Sequence, residues 1–458
     1  MQSACDDAFV GPGPSGLYPV PVADYSCAGE RGSARSSRPG PPPRAQGEQA
    51  ERLKMAEVHP RRRIDLAHLR LWCCIGLLSL MVAGCAGSAR RADPPYAPTA
   101  DFPLPAGLEA NVDFWKNVYT RWSRDKVVIH DNRHMAVVYQ EATLPGPIEG
   151  IYTPAQRDYV RALRERWSDR LRTLERRLAA NAALTPEQRA LRDKLERAGG
   201  PGAVFGAAER VRSQRGVRER YLAGLERSGR WLPAFREVFR RHGLPEDLAL
   251  LPHVESSFVA NARSSAGASG MWQFIRSTGG SYMTVNGVID ERLDPIIAAD
   301  AAARYLKNSY AKLRDWPLAL TSYNHGLGGM RRAKASHGTD FARIVREYDG
   351  RYFGFASRNF YAQFLAARHV ANNAEVYFPE GIRYQAPLND EPVRLRFAKS
   401  LDDLALQYRV PHSILVDRNL AWLDPVRNGA RPVPAGTTVW VPADAHRATR
   451  GGSDVSAF

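Results

Sequence analysis

Helix-length segments with apolar residues at helical spacing are the feature that most constrains the fold of this chain. They cover residues 207–227, 230–242, 245–257, 294–313, 317–324 and 357–372. The alternation of apolar and polar residues that is typical of a half-buried strand is nearly absent until residue 393. We therefore predict one compact α-helical domain over residues 207–380, within a chain that is mainly α.

Residues 151–206, which precede this domain, are predicted to form a charged helical arm. Thr153 and Thr185 are each followed by a proline, so each offers a hydroxyl N-cap before a residue suited to the first helical position. Gly199 begins the glycine pair that ends the segment. Because Arg, Glu, Leu and Ala dominate in between, with apolar residues near helical spacing, we expect a solvated hairpin of two helices.

The amino-terminal residues are predicted to hold an export signal. Residues 1–54 are rich in Gly, Pro, Ser and Arg and have no hydrophobic period, which indicates a disordered leader or a start site placed before the true one at Met55. In residues 55–84, three arginines precede an apolar run from Leu71 to Val82. A membrane span needs about 20 apolar residues, so this shorter run is typical of a signal-peptide core.

The end of this signal resembles a bacterial lipobox, because small residues precede Cys85. The resemblance implies cleavage before Cys85, acylation of that residue and a lipid anchor in a membrane; the alternative is an amphipathic start or an uncleaved anchor. Ala86 lacks the acidic character associated with inner-membrane retention, so we expect an outer-membrane lipoprotein that faces the periplasm. Residues 85–150 are proline-rich and are predicted to form a tether.

The charge and the cysteine positions limit the partners and cofactors. Lys and Arg number 64 against 48 Asp and Glu, and the net charge of +16 favours an anionic partner. Nucleic acid is excluded by the export signal. All five cysteines lie at or before Cys85, and His325 and His369 show no metal-ligand spacing, so we predict no metal and no cofactor.

Glu255 is the candidate catalytic residue. Pro252 should kink the helix that leads to it, and this places Glu255 in a last helical turn, at the negative end of the helix dipole. If its neighbours are apolar, both effects penalise the charged carboxylate, so we expect the pKa of Glu255 to be raised. A protonated carboxyl near neutral pH is what a general acid requires.

The residues that follow are suited to a carbohydrate ligand. Residues 261–274 combine small side chains, which allow close backbone approach, with the flat apolar surface of Met271 and its aromatic neighbours. Gln273 adds an amide to this run. Tyr323 and Asn324 add a phenol and a second amide on a short helix that ends at a glycine.

Three motifs in this order resemble those of the lytic murein transglycosylases with a lysozyme-like domain. They are Glu-Ser-x-Phe at 255–258, Ala-x-Ser-x-x-Gly-Ala-x-Gly-Met-x-Gln at 262–273, and Ser-Tyr-Asn-x-Gly at 322–326. The Gly-Leu-Pro of residues 243–245, the Trp-Gln-Phe of residues 272–274 and the segment 355–361 are similar to the membrane-bound lytic murein transglycosylase D branch. The resemblance implies a lysozyme-like catalytic domain and peptidoglycan glycan strands as the partner.

The resemblance also implies the chemistry. Glu255 would act as the single acid/base on the β-1,4 bond between N-acetylmuramic acid and N-acetylglucosamine. Its carboxylate would then help the C6 hydroxyl close on the anomeric carbon, giving a 1,6-anhydro end without water or a second carboxylate, unlike most glycosidases.

The remaining site residues take supporting roles by the same resemblance. Ser264 is implied to make hydrogen bonds near Glu255 and the substrate acetamide, and Met271 is implied to line the saccharide groove. Gln273 and Tyr323 would position the sugar and orient the acid, and Asn324 would support Tyr323.

One departure needs stating, and two alternatives remain open. Ala356 stands where many relatives carry the glutamate of a Glu-Thr-Arg-x-Tyr segment, so we assign that segment no catalytic role. A hydrolytic muramidase would need a second carboxylate, for which the candidates are Asp290, Glu291, Asp294 and Asp300. Asp294 precedes a proline and is more simply a helix N-cap. A catalytically silent wall-binding scaffold is the other alternative.

The carboxyl-terminal residues 390–443 are predicted to form a small βααβ module. A strand over 393–397, two helices that begin near Ser400 and Pro411, and a turn followed by a strand within 434–442 resemble a LysM domain, which binds N-acetylglucosamine chains. The usual Gly-Asp-Thr after the first strand is missing, so the module is degenerate. Residues 444–458 are predicted to be a tail, and the oligomeric state stays open.

Overall fold

The computed structural model describes residues 93–451 and confirms a mainly α-helical chain. No helix in this range has both the length and the apolar character needed to cross a membrane. The leader of residues 1–54, the export signal of residues 55–84 and the lipidation site at Cys85 lie outside the described residues. The same is true of the last residues of the predicted tail, 452–458.

The tether predicted for residues 85–150 is wrong over much of its length. Helix α1 spans Glu109–Thr120, strand β1 spans Lys126–Asp131 and strand β2 spans Val138–Thr143. Strand β3 spans Val211–Arg215. The three strands form an antiparallel sheet in the order β2-β1-β3. Strand β1 is buried on both faces, since Val128 packs in the main helical core whereas its neighbours pack against the arm. The prolines that suggested a tether lie outside these elements.

The helical arm is present, but one of its faces is buried. Helix α2 spans Pro154–Ala179 and helix α3 spans Pro186–Gly199. The predicted N-caps are confirmed: Thr153 and Thr185 each form a capping box with the glutamine three residues later. Leucines of α2 and α3 pack against the sheet, so the arm is attached along its length and is not a fully solvated hairpin.

The main core is formed by helices that follow β3. Their bounds are α4 Arg218–Arg241, α5 Pro252–Glu255, α6 Arg276–Gly280, α7 Pro295–Leu313, α8 Trp316–His325, α9 Leu327–His337, α10 Phe341–Glu347, α11 Phe355–Asn372 and α12 Ala374–Tyr377. Short 3-10 turns lie at Ala208–Arg210, Glu246–Leu250 and Glu291–Leu293. Helix α4 continues through Pro233, and α1 packs against both α4 and α11.

The carboxyl-terminal module has the two predicted strands and the two predicted helices between them, together with two helices that were not predicted, one before the second strand and one after it. Its elements are β4 Asp390–Arg394, α13 Leu401–Tyr408, α14 His412–Arg418, α15 Asp424–Arg427, β5 Thr438–Pro442 and α16 Ala443–Gly451. Strands β4 and β5 pair antiparallel. The first strand begins at Asp390 rather than at residue 393, and the predicted tail is wrong up to residue 451, because α16 packs against α13 and both strands.

The segment of residues 288–294 connects the helical domain to this module. Ile289 is buried in the core of the module, and its neighbour Asp290 donates its backbone N–H to the Ala421 oxygen at 2.8 Å. Asp294 caps α7 and accepts a hydrogen bond from Nε1 of Trp440 at 2.5 Å. The module therefore packs directly on the helical domain.

Candidate active site

Glu255 is the last residue of a four-residue helix, α5, whose first residue is Pro252. All four residues of this helix are buried, and only 3% of the Glu255 surface is exposed. Burial raises the pKa of the Glu255 carboxyl well above its ordinary value, because removing water penalises the charged form. The expected raised pKa and the burial of this side chain are therefore both present in the structure.

The turn after Glu255 has a backbone conformation that side chains ordinarily avoid. Ser257 and Phe258 have φ angles of 53° and 58°, and such left-handed residues persist only where their surroundings hold them. Arg227 of α4 donates from Nε and Nη2 to the Ser257 carbonyl oxygen, at 3.0 and 2.7 Å. Gly224, one turn earlier on α4, lets the two backbones approach, since a Cβ there would lie 3.2 Å from the Ser257 oxygen.

The loop of residues 261–274 is held by its own backbone and side chains. Ser264 accepts a hydrogen bond at its hydroxyl from the Ala268 N–H at 3.0 Å. Gln273 is fully buried, and its Nε2 donates to the Gly270 oxygen at 2.7 Å. The amide nitrogen of Gln273 is thus used to shape the loop rather than directed at a ligand.

Gly270 shows why the loop needs a small residue at one particular place. Its φ is 81°, and a Cβ added there would lie 1.7 Å from the backbone oxygen of Arg292. The close approach that the sequence indicated is therefore to another part of the chain. Met271, which was expected to line the groove, has 1% of its surface exposed and packs in the core. In this structure it offers little surface to a ligand.

Tyr323 lies in α8 and its hydroxyl donates to the Trp272 backbone oxygen at 2.8 Å. Its pKa is raised well above the ordinary value, first by burial and then by the negative charge of Glu255. The structure thus brings Tyr323 and Glu255 into electrostatic contact. Asn324 does not bond to Tyr323: its Oδ1 accepts a hydrogen bond from Oγ of Ser357, at 2.7 Å.

The carboxylates considered as a second catalytic group all have protein partners. Asp290 and Arg292 form a buried ion pair at 2.8 Å. Asp294 accepts the N–H groups that cap α7, and burial raises its pKa to about 6. Asp300 pairs with Arg304, and Glu291 accepts a hydrogen bond from the Thr284 N–H. Residues 93–451 contain no group of three His, Cys, Asp or Glu side chains arranged to hold a metal ion.

His253, two residues before Glu255, is a buried packing residue. Its ring stacks on Tyr221 with centroids 4.9 Å apart. Burial and, to a smaller extent, the charge of Arg227 lower its pKa to about 3. His253 is therefore neutral at physiological pH, in agreement with the structural role that is common for such a histidine.

The sequence interpretation missed Tyr119 of α1. This residue is 1% exposed, and its pKa is raised first by burial and then by the charge of Glu255. The signal was a helical period, because Asn111, Trp115 and Tyr119 recur every four residues on one face of α1. The prolines on either side directed the interpretation towards a tether instead.

Comparison with known proteins places this site in a recognised domain. Residues 235–344 match the family model described as Transglycosylase SLT domain. The chain is 30% identical over 160 residues to the membrane-bound lytic murein transglycosylase D of Escherichia coli (strain K12), which is 33% of this chain and 32% of that protein. It is 34% identical over 119 residues to the peptidoglycan transglycosylase gp16 of Escherichia phage T7, covering 25% of this chain and 9% of that protein.

Among solved structures, this chain is similar to an inactive mutant of the lytic transglycosylase Slt from Pseudomonas aeruginosa. The similar region covers 33% of this chain and 24% of the Slt chain, with 18% sequence identity and a TM-score of 0.25. The chain spans about a third of the length of the curated transglycosylase D relatives that it matches. Glu255, Ser264, Met271, Gln273, Tyr323 and Asn324 all lie within the matched domain.

Proposed function

We propose that this chain, which carries a transglycosylase SLT domain over residues 235–344, is a lytic transglycosylase that cleaves the glycan strands of peptidoglycan. One observation carries the proposal: Glu255 is buried at the end of α5, in electrostatic contact with Tyr323. Because burial raises its pKa, the carboxyl keeps a proton that it can give to a leaving oxygen near neutral pH.

The proposed reaction uses this one carboxyl twice. Glu255 donates its proton to the glycosidic oxygen as the bond from the anomeric carbon of N-acetylmuramic acid to that oxygen breaks. The C6 hydroxyl of the same sugar then bonds to the anomeric carbon, and its proton passes to the Glu255 carboxylate. The acid is regenerated, no water is consumed, and the product is a 1,6-anhydro end. A route without a second carboxylate is supported because the other candidates are already bonded within the protein, namely Asp290, Asp294 and Asp300.

The supporting residues are proposed to act mainly by shaping the site. Tyr323 bonds the backbone of the 261–274 loop to α8, and Gln273 bonds the loop to itself, so both are proposed to orient the acid indirectly. Ser264 is half-buried, and its hydroxyl is suited to an acetamide of the substrate. Asn324 and Met271 are both buried, so their proposed part in the substrate site is to support it from within, with Asn324 fixed by Ser357.

The location and the module are proposed on separate grounds. The lipobox resemblance at Cys85 supports a lipid-anchored protein on the periplasmic face of the outer membrane, and the transglycosylase D relative is itself described as membrane-bound. The βααβ order of residues 390–443 supports a LysM-like module that binds glycan. Its alternative role is to pack against the helical domain through Ile289 and Trp440.

Mass spectrometry of digested murein tests this function. The wild type should release fragments with ends one water lighter than reducing ends, and Glu255→Gln should release none while still binding sacculi. Glu246→Gln is the matched control, because this glutamate lies on the same stretch of chain but pairs with Arg240 at the surface. Reducing ends would support the hydrolytic muramidase, and wild-type binding without release would support the silent scaffold.

A further inference from the structure

Arg292 is a buried charged residue that takes no part in the reaction proposed above. It lies in the short 3-10 turn Glu291–Leu293, and 4% of its surface is exposed. Arginine is rarely buried to this extent unless its charge is paired and its donors are bonded. The partners of Arg292 therefore indicate what its burial achieves.

The guanidinium of Arg292 donates hydrogen bonds to two different parts of the chain. Nε and Nη2 donate to the two carboxylate oxygens of Asp290, at 2.9 and 2.8 Å. Nη1 donates to the backbone oxygens of Gly267 and Phe274, at 3.1 and 3.2 Å. These two oxygens belong to the 261–274 loop, one near its middle and one at its end. A planar group with several donors in a fixed geometry thus joins two points of the loop to one carboxylate.

The 261–274 loop makes further contacts with the chain around Arg292. Gly270 approaches the Arg292 backbone so closely that an added Cβ would lie 1.7 Å from the Arg292 oxygen. Trp272 is fully buried, and its Nε1 donates to the Pro295 oxygen at 3.1 Å. The loop is therefore fixed to residues 292–295 by its backbone and by its side chains.

The same loop is bonded to the residue that follows the candidate acid. Ser256 is fully buried, directly after Glu255, and its Oγ donates to the Met271 backbone oxygen at 2.8 Å. One residue further along the loop, the Trp272 oxygen accepts the hydrogen bond from Tyr323. The loop thus has direct hydrogen bonds both to Arg292 and to the chain next to Glu255.

The segment that carries Arg292 is itself bonded to the carboxyl-terminal module. Ile289 is buried in the core of the module and pairs with Trp422 in an antiparallel bridge. The Asp290 N–H donates to the Ala421 oxygen at 2.8 Å. The residue whose carboxylate binds Arg292 is therefore held in place by the module.

From these contacts we propose that Arg292 is a positioning residue, which fixes the 261–274 loop to the segment on which the carboxyl-terminal module is seated. The module then helps to build the active site, whether or not it binds glycan. The effect on glycan cleavage rests on the proposed function. Because the loop carries Ser264, whose hydroxyl is proposed to bind the substrate acetamide, a displaced loop weakens substrate binding. Glu255 remains at the end of α5, so the chemical step is less affected.

The test is the substitution Arg292→Lys in the full chain. A lysine has three donors on a single atom, so it cannot make the four hydrogen bonds of the guanidinium. On soluble glycan strands KM should rise about tenfold, while kcat should fall by less than about threefold.

Fluorine-19 NMR of chains labelled with 5-fluorotryptophan reports the position of the loop without any assay of activity. The signal of Trp272 is identified by its loss in Trp272→Phe. In Arg292→Lys this signal should shift by more than its line width, because the contacts around the loop change.

Arg210→Lys is the matched control. Arg210 also pairs with a buried carboxylate, that of Asp131 at 2.9 Å, and donates to a backbone oxygen, that of Phe205 at 2.9 Å. It lies in the turn before β3, and none of these partners belongs to the 261–274 loop. Arg210→Lys should lower the melting temperature and leave both KM and the Trp272 signal unchanged.

Two milder variants keep the guanidinium and extend the test if Arg292→Lys does not fold. Asp290→Asn weakens the pairing with Arg292, and Ile289→Ala loosens the contact with the module. Both should raise KM and shift the Trp272 signal in the same direction as Arg292→Lys, by smaller amounts. An unshifted signal in Ile289→Ala would overturn the link between the module and the loop.

A Trp272 signal that is the same in the wild type, Arg292→Lys and Asp290→Asn would overturn the inference, whatever the activity. Equal rises of KM in Arg292→Lys and Arg210→Lys would also overturn it, because they would reflect a general loss of stability. So would a complete loss of kcat in Asp290→Asn with KM unchanged, which is the result expected for a second catalytic carboxylate. Shifted signals in a protein whose wild type releases no anhydro ends would support the positioning of the loop by Arg292 and reject the proposed function.

Discussion

The guanidinium of Arg227 donates two hydrogen bonds to the backbone oxygen of Ser257, at 3.0 and 2.7 Å. Ser257 lies two residues after Glu255 and has a φ of 53°. A charged donor on a stable helix thus holds a turn whose conformation would otherwise be unfavourable. This contact therefore fixes the chain two residues after the candidate acid.

Replacing Arg227 should therefore lower both activity and stability. Arg227→Met removes both hydrogen bonds and leaves the Ser257 oxygen with fewer donors, at a cost of about 1–3 kcal/mol in the free energy of unfolding. Murein release should fall at least tenfold because the turn after Glu255 is no longer fixed. Urea unfolding and a release assay on the same preparation measure the two effects. Arg241→Met, at an exposed position on the same helix, should change neither by much.

Gly224 offers a test of the contact between α4 and the same turn. Glycine to alanine inside a helix ordinarily stabilises it by about 1 kcal/mol. At Gly224, however, the added Cβ would lie 3.2 Å from both the Cβ and the oxygen of Ser257. We expect Gly224→Ala to be destabilising by about 1–3 kcal/mol and to reduce murein release.

Gly328→Ala is the control for that substitution. Gly328 lies in α9, where a Cβ would meet only the end of the Arg332 side chain, at 3.7 Å. Thermal unfolding should show this variant to be as stable as the wild type or more so. If both alanine variants behave alike, the close approach of α4 to Ser257 has no energetic consequence.

The raised pKa of Glu255 predicts a pH dependence of stability with a definite sign. The carboxyl ordinarily titrates near pH 4.5, and burial raises this value in the folded chain. Between the two pKa values the folded chain binds the additional proton, so stability falls as pH rises through that interval, by about 1.4 kcal/mol per pH unit. Glu255→Gln removes this loss. It should be more stable than the wild type at pH 7 and equal to it below pH 4, as measured by chemical unfolding at each pH.

The opposite ordering, with Glu255→Gln less stable than the wild type at pH 7, would mean that the charged carboxylate is stabilised in the fold. In that case Glu255 would be an unsuitable general acid. Glu246→Gln, at the surface, provides the reference for an ordinary change of charge.

The contact between Trp440 and Asp294 predicts how firmly the module is attached. Nε1 of Trp440 donates to a carboxylate whose pKa burial raises to about 6, and this hydrogen bond opposes the rise. Trp440→Phe should raise the Asp294 pKa further and be destabilising by about 1–3 kcal/mol at pH 7, where Asp294 is charged. The loss should be smaller at pH 5, where Asp294 is mostly protonated.

Urea unfolding at the two pH values measures this difference. Trp231→Phe is the comparison, because Trp231 stacks on Phe235 at 6.5 Å without such a carboxylate partner, so its effect should not depend on pH. A pH-independent loss in Trp440→Phe would assign the contact to packing alone.

Local signals in the sequence predicted a good part of this molecule. Thr153, Thr185, Asp294 and Ser400 all cap the helices expected from them. Helix caps and helical periods depend on residues within a few positions of one another, so they can be recognised from one sequence alone. The raised pKa of Glu255 was expected from local reasoning on the condition that its neighbours are apolar, and its burial meets that condition.

Contacts between distant parts of the chain could not be predicted in this way. Strand β1 pairs with Val211–Arg215, which lies more than seventy residues later in the chain. The proline-rich residues around β1 gave no indication of that pairing. Tyr119 is buried because α1 packs on α4 and α11. Similarly, the residue types of Gln273 and Met271 match a sequence motif. Only the fold shows that Gln273 bonds to the loop backbone and that Met271 packs in the core.

The most direct test of the central claim is to digest murein in water enriched in oxygen-18 and to measure the masses of the released fragments by mass spectrometry. If Glu255 acts alone and the sugar's own C6 hydroxyl closes the ring, the ends are one water lighter than reducing ends and carry no heavy oxygen. Reducing ends that contain oxygen-18 would show that water attacks the anomeric carbon, and they would contradict the account.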